Sequence, residues 1–488
     1  MTADDTTTLP PASDHARRTL LIASVAAFAV FLDTTALFVA FPDITTSFPD
    51  VAPSQLSWVL NGYTIVFAAL LVPLGKLADR RGHKQMFLAG VALFTAASLL
   101  CAIAPNPMML VAARAVQAVG GAALVPSSLA LILRSTPRER VPISAAIWGA
   151  TAALAGAVGP TLGAALVEWG GWRWVFVINL PVGVATIVMG RRSLRESRDP
   201  QSMLPAPLGV GLLVAGSVLL TLGLVRGDDW GWTSGSTVAS IVAGIAVLCV
   251  FVTHQAHTPA PAMDLSLFES HNFRWANAST IVFGIAFSAM FLSSILFLTS
   301  VWNWSILEAG FGVAPGPLLV ALLAPPFGKL AARIGQRPLI IAGGLVYAAG
   351  GAWRLFTFDA EPAFATAYLP SMLLTGTGVA LCIPQLSSVI GQSLPPNRFG
   401  VGGAVNQALR QLGGTLGVAV AVGFVSGATD IDDALGRFER IWWMIVAGGV
   451  LTTLLSIPLR TVPRSVPAAL DGNLEVADAA VVDAAAVD

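Results

Sequence analysis

Gly75-Lys-Leu-Ala-Asp-Arg-Arg-Gly-His-Lys-Gln85 forms a short polar bridge between two apolar runs, with five basic positions (Lys76, Arg80, Arg81, His83, Lys84) and one acid, Asp79. A second copy, Gly328-Lys-Leu-Ala-Ala-Arg-Ile-Gly-Gln-Arg-Pro338, follows 253 positions later. Six of the first eight residues agree; Ala332 stands for Asp79 and Ile334 for Arg81. A basic loop repeated between hydrophobic runs points to a duplicated chain built into a membrane.

Composition gives the same class. Of 488 residues, 55% are hydrophobic and 11% charged, whereas about 25% is charged in soluble globular domains. That much apolar surface cannot be kept from water by a chain of this size, which excludes the soluble classes. Cys101, Cys249 and Cys382 lie in separate apolar runs without metal or disulfide spacing, and are expected as inert buried thiols. Residues 1–16 are polar. The run after them is long enough to span a bilayer and has no small-residue cleavage site, so a first span is expected rather than a signal peptide.

A span needs about 20 apolar residues. That criterion gives fourteen, near 19–41, 56–75, 86–104, 108–133, 142–167, 173–190, 205–226, 235–255, 275–299, 307–327, 338–358, 364–391, 401–426 and 441–459. The expected fold is all-α and integral to the membrane. With both termini cytoplasmic, 20 of the 27 Lys and Arg fall on the cytoplasmic side, including Arg17, Arg18, Arg134, Arg138, Arg140, Arg333, Arg337, Arg398 and Arg460. Arg173, Arg226, Arg437 and Arg440 fall outside; Arg114, Arg354 and Arg410 lie within spans. This asymmetry is what the positive-inside rule requires, and a miscounted span would scramble it. Six helices with short loops take roughly 180–200 residues at this spacing, so an offset of 253 corresponds to eight helices. The implied organisation is a cytoplasmic tail at 1–18, six helices over 19–190, a linker with two inserted helices over 191–273, six helices over 274–460, and an acidic tail over 461–488.

Asp33 is the one carboxylate well inside a span, and an ionisable group there marks a functional site by default. Counted from the outer ends of spans 1 and 4, Asp33 and Arg114 lie at similar depth, roughly 12 and 9 Å in at the helical rise. Pairing would lower the cost of both. A carboxylate in apolar surroundings holds its proton, and one beside a guanidinium releases it. A cavity alternating between these environments would couple to protons; a static ion pair holding helices together is the other reading. Arg410, within Asn406-Gln-Ala-Leu-Arg-Gln-Leu-Gly-Gly414, either meets a ligand or is satisfied by carbonyls in a tight helix contact. Arg354, near a span end, is expected to snorkel. Gly156-Ala-Val-Gly-Pro-Thr-Leu-Gly163 reads as a packing kink or a rigid hinge, with Gly159, Pro160 and Gly163 as gating candidates. Trp58, Asn61, Tyr63, Gln117, Asn179, Gln385 and Asn406 are candidates to line a cavity or to bond between helices. Trp302 and Trp304 are expected as interface anchors.

Several of these stretches, in order, resemble the major facilitator superfamily, and within it the fourteen-helix drug:proton antiporters. Gly75 to Lys84 is similar to the signature between helices 2 and 3, with His83 where Arg is usual. Arg114-Ala-Val-Gln-Ala-Val-Gly120 resembles the helix 4 signature, and Ala155 to Ala164 the antiporter signature of helix 5. Leu32-Asp-Thr-Thr-Ala-Leu-Phe-Val-Ala-Phe-Pro42 resembles the helix 1 signature, with Leu37 and Phe38 in place of Val-Asn. Trp172 to Gly183 and Arg410 to Gly414 are similar as well.

The resemblance implies two six-helix bundles around a central cavity, alternating access, and export driven by inward proton movement. It implies proton coupling at Asp33 and Arg114, and a conformational role for Gly75, Asp79, Arg80 and Gly82. Asp79 would latch the cytoplasmic side by docking on the helix N-terminus near Val401. The expected activity is export of lipophilic, drug-like compounds across a bacterial cell membrane, as in antibiotic resistance. Export of one endogenous metabolite or lipid is the alternative, and a membrane enzyme or sensor a remote one. No cofactor, metal or nucleic-acid partner is expected; the partners are a small lipophilic substrate, protons and the bilayer, and the chain is expected to act as a monomer.

Overall fold

The computed structural model describes residues 14–137, 140–198, 204–395 and 398–461, and regular structure among them is helical throughout. Arg138, the acidic tail from 462 and most of the N-terminal tail lie outside the described residues. Fourteen helices are long and apolar enough to cross a membrane: α1 Asp14–Ser47, α2 Pro53–Arg81, α3 His83–Ala102, α4 Pro107–Ser135, α5 Ile147–Gly170, α6 Arg173–Ser193, α7 Pro207–Val225, α8 Gly235–His257, α9 His271–Ser300, α10 Ile306–Ile334, α11 Gln336–Thr357, α12 Phe364–Gln392, α13 Val401–Val425 and α14 Ile431–Ser456.

Their ends follow local chemistry. Asn106 caps α4 through Met109 N at 2.9 Å, with Pro107 behind it. Ser305 and Glu308 close a capping box at α10. In the repeated loops the chain turns at Gly82 (φ 121°) and Gly335 (φ 85°), a region costly to any residue with a Cβ. Each turn is secured by the segment that follows the sixth helix of its own set. Glu196 accepts from Lys84 N at 2.9 Å and Gln85 N at 3.0 Å. Thr461 Oγ1 accepts from Arg337 N at 3.0 Å.

The helices pack in two sets with a shared plan. In the first, α3 packs on α4, α2 on α4, α1 on α5 and α3 on α6. Eight helices later the pairs α11–α12, α10–α12, α9–α13 and α11–α14 repeat these contacts. The sets meet through α2 with α13 and α5 with α10, pairs that the same offset exchanges. Helices α7 and α8 pack on each other, and α7 bridges the sets by resting on both α2 and α13. We call the side carrying the repeated loops the loop face and the opposite side the far face. At the far face, the α7–α8 connection reaches both sets: Asp229 accepts from Ser54 Oγ at 2.7 Å, and Asp228 pairs with Arg437 at 2.8 Å. At the loop face, Lys76 Nζ donates to Pro261 O at 2.8 Å.

Three local expectations change. Trp302 is no interface anchor: it is buried, its ring set among Phe297, Phe358 and Tyr368 and its Nε1 donating to Asp359 O at 3.0 Å. Trp304 is half-buried and packs on Phe364. The turn at Asn303 (φ 52°) separates the two rings from the end of α9. Cys249 is exposed on α8, unlike Cys101 and Cys382. Finally, α1 runs on to Ser47, because Pro42 is carried inside the helix, so Asp33 lies farther from the end of α1 than a span ending at 41 placed it.

Candidate functional site

Asp33 is 1% exposed near the middle of α1. Its Oδ2 pairs with Arg114 Nη1 of α4 at 2.5 Å. Its Oδ1 accepts from Gln117 Nε2 at 3.0 Å and Asn179 Nδ2 at 2.8 Å. Arg114 and Gln117 share a face of α4 by their spacing of three, and Gln117 Oε1 returns a contact to Arg114 Nη1 at 2.5 Å. Arg114 Nε donates to Val59 O at 3.2 Å, and its guanidinium lies 3.9 Å from the centre of the Tyr63 ring. Ser98 Oγ of α3 accepts from Gln117 at 2.8 Å. Five helices of the first set thus converge on one carboxylate. Three donors surround it, in a place where a lone charge would cost several kcal/mol.

Of the expected cavity residues, Tyr63, Gln117 and Asn179 therefore belong to the Asp33 network. Asn61 is buried one turn away, its Nδ2 3.3 Å from Ser57 Oγ, and Trp58 is half-buried at the start of α2. Asn406 bonds between helices, to Asn277 Oδ1 at 3.0 Å and Thr280 Oγ1 at 3.3 Å of α9. Ser98 joins the network unannounced, since a serine in an apolar run carries no distinguishing pattern.

The α1 turn beyond Asp33 bears directly on α5. Thr35 Oγ1 donates to Ala155 O at 3.0 Å. A Cβ on Gly163 would stand 2.9 Å from Ala36 Cα, and one on Gly159 would collide with Thr35. The neighbouring face of α5 looks toward α10. In its far-face half it is in contact, with Gly310 packed against Pro160 and Ala164. Toward the loop face, Gly149 and Gly156 on that same side have nothing within 4 Å. Along α5 and α10 the two sets therefore meet at the far end, while Ala404 of α13 still packs on the first set nearer the loop face.

In the loop, Asp79 stays within its own set, 3.2 Å from His83 Nε2 and 3.9 Å from Arg134 Nη2. Gly75 packs against Pro126 of α4. Arg80 is exposed in the last turn of α2. In the second set, Ala332 and Gln336 occupy the places of Asp79 and His83. A cavity of about 180 Å³ opens there, lined by both residues with Gln385, Ser388 and Gln392.

Helix α13 has neighbours on three sides. Gly413 and Gly417 lie against Ile281 and Ile285 of α9, Thr415 Oγ1 is 2.5 Å from Thr64 Oγ1 of α2, and Gly423 meets Leu224 of α7. The fourth side carries Gly403, Gln407 and Arg410, whose spacing of four and three aligns them on one face. Gly403 has open space beside it, and Arg410 is half-buried and donates to Gln407 Oε1. This face lies between α9 and α2, on the side away from α7, and so lines the cleft between the sets. The glycines and the arginine have separate roles here: glycines for the close approach to α9, arginine for the cleft.

Arg354 does not snorkel. It is 1% exposed, donating to Ser371 Oγ at 2.6 Å and Ser294 Oγ at 3.0 Å, with the Phe358 and Tyr368 rings 5.3 and 5.9 Å from it. No carboxylate lies in salt-bridge range among the described residues. Nor do those residues hold a cluster of groups suited to a metal.

Comparison with known proteins agrees with this architecture. The sequence model of the Major Facilitator Superfamily matches residues 23–418. The chain is 32% identical over 403 residues to Multidrug resistance protein Stp of Mycobacterium tuberculosis, covering 82% of this chain and 74% of that one. It is 30% identical over 459 residues to Cephamycin export protein CmcT of Amycolatopsis lactamdurans, covering 92% and 94%. It is 31% identical over 410 residues to the Tetracenomycin C resistance and export protein of Streptomyces glaucescens, covering 82% and 74%. Among solved structures, the human organic anion transporter MFSD10 shares the fold at a TM-score of 0.63 and 16% identity, over 92% of this chain and all of that one.

Proposed function

The chain belongs to the major facilitator superfamily, a multi-pass transporter and not an enzyme, and from that premise we propose that it exports lipophilic, drug-like compounds in exchange for protons. The observation that carries this reading is the Asp33 network: a deeply buried carboxylate whose partners are all hydrogen-bond donors. Protonation cancels the charge that Arg114, Gln117 and Asn179 hold. Asp33 then loses its grip on α4 and α6, and α1 is free to shift against α5 through Thr35, Ala36, Gly159 and Gly163. Because α5 carries the far-face contact with Gly310 of α10, that shift bears on the seal between the sets. With the far face open, a proton from that side binds Asp33 as cargo leaves; the protonated chain then reorients, and proton loss toward the loop face restores the ion pair for the next cargo. The positive-inside asymmetry supports a cytoplasmic loop face, in the cell membrane of a bacterium. Relatives named for multidrug resistance and antibiotic export support the cargo class.

The test uses the full chain in proteoliposomes with a pH gradient. Asp33→Asn keeps the shape and the hydrogen bonds from Arg114 while removing the titrating group. The variant is expected to fold, to bind cargo, and to lose proton-driven export down to the level of empty vesicles. Export at the wild-type rate under the same gradient would remove Asp33 from the mechanism.

A further inference from the structure

The charges at membrane depth do not balance, and the imbalance is confined to the second set. In the first set, Asp33 and Arg114 neutralise each other at 2.5 Å. In the second set, Arg410 and Arg354 face no acid among the described residues. The carboxylates of that half stand elsewhere: Glu308 caps α10, Asp359 and Glu361 lie in the α11–α12 connection, and Asp430, Asp432 and Asp433 sit at the start of α14. Glu439 is exposed farther along α14. Of the two guanidiniums, Arg354 is enclosed by serines and aromatic rings, whereas Arg410 stands on the open face of α13 beside Gly403, with Gln407 as its hydrogen-bond partner.

A guanidinium held at membrane depth without a counter-ion is costly, and an anion brought within its reach offsets that cost. Its planar donors match the oxygens of a carboxylate or sulfonate, and Gln407 supplies a further amide beside it. We propose that Arg410 is the cargo's charge receptor, and that the favoured cargo is a lipophilic monoanion: an apolar body in the cleft with one carboxylate or sulfonate on Arg410. A cation would meet like charge on that wall. This rests on the export reading above and gives it a charge class. It also has an energetic consequence. At one proton inward per cargo outward, a neutral cargo moves one net positive charge inward and a monoanion moves two. An inside-negative potential therefore drives anion export more strongly than neutral export.

Two probes with one scaffold test this: 8-anilino-1-naphthalenesulfonate, and N-phenyl-1-naphthylamine, which lacks the sulfonate. Binding is measured on the full chain in lipid nanodiscs with protein-free discs subtracted, and transport in proteoliposomes. The wild type is expected to bind the sulfonate more tightly than the naphthylamine. Arg410→Gln is expected to weaken sulfonate binding about tenfold or more, a loss of about 1.4 kcal/mol, and to leave the naphthylamine within about twofold. Arg410→Lys retains most of the sulfonate affinity. An imposed inside-negative potential accelerates sulfonate export more than naphthylamine export. Equal effects of Arg410→Gln on both probes, or none on either, overturn the assignment. If that variant does not fold, a wild-type preference for the naphthylamine overturns it without any variant. Should the wild type transport neither probe under a pH gradient, the export reading fails, while the binding measurement still decides the receptor.

Discussion

The two helix sets are copies in plan and opposites in charge. Where the first has Asp79, His83 and a Glu196 cap, the second has Ala332, Gln336 and a Thr461 cap. Deeper in the membrane, the first holds a complete ion pair, and the second holds Arg354 and Arg410 with no acid paired to either among the described residues. Duplication preserved the helix contacts, which depend on small residues and apolar faces. It did not preserve the polar groups, as expected if each set serves a different partner, as proposed above. A set that exchanges protons needs a carboxylate whose partners can release it. A set that receives cargo needs a charge left unneutralised.

The same substitution on each side should therefore have unequal consequences. Arg114→Met leaves Asp33 buried without its cation, and breaking a buried pair in this way costs about 3–5 kcal/mol. Gln117 and Asn179 still donate to Asp33, so the lower end of that range is expected, together with loss of proton-driven export. Arg354→Met has no such orphan to leave. It removes a charge that no acid compensates and replaces it with a flexible apolar chain beside Met372. Ser294 and Ser371 lose a donor, a cost of about 1 kcal/mol each at most, against which the relief of a desolvated charge is set. Its melting midpoint in detergent is expected at or above that of the wild type. A drop as large as that of Arg114→Met would show that the second set does hold a compensating charge for Arg354.

Much of this is legible in the sequence. Charges interrupting apolar runs mark Asp33, Arg114 and Arg410, the apolar runs themselves give the fourteen-helix count, and the loop repeat at its offset gives the place of the insert. The polar side chains Gln117 and Asn179 stood out for the same reason as Asp33, although their common target could not be read from spacing alone. Two kinds of feature were hidden. Ser98 looks like any membrane serine until α3 packs on α4. The burial of Arg354 depends on Ser294, Tyr368 and Ser371, contributed by two other helices, and Trp302 on the turn at Asn303. Charge within a span is a local signal, whereas its partner is a tertiary one.

The smallest expected effect concerns the loop itself. Asp79 is 40% exposed, and its contacts with His83 and Arg134 are 3.2 and 3.9 Å, so they contribute about 0.2–1 kcal/mol at most. Asp79→Ala, which turns the first loop into the second at this position, should leave thermal stability nearly unchanged. Its consequence lies in the balance of conformations. In the present arrangement Asp79 stays within its own set. As a latch it would move onto the N-terminus of α13 near Val401 when that face closes, an acid-to-dipole contact of about 0.3–1 kcal/mol. Losing it shifts the equilibrium by about two- to fivefold toward the open loop face. A Gly403→Cys substitution in a Cys249→Ser background reports this, because Gly403 stands beside open space in the cleft while Cys101 and Cys382 are buried. Alkylation from the loop face by an impermeant maleimide should speed up by that factor when Asp79→Ala is added. An unchanged rate means that Asp79 holds only its own helix set, and that the charge difference between the two loops concerns topology alone.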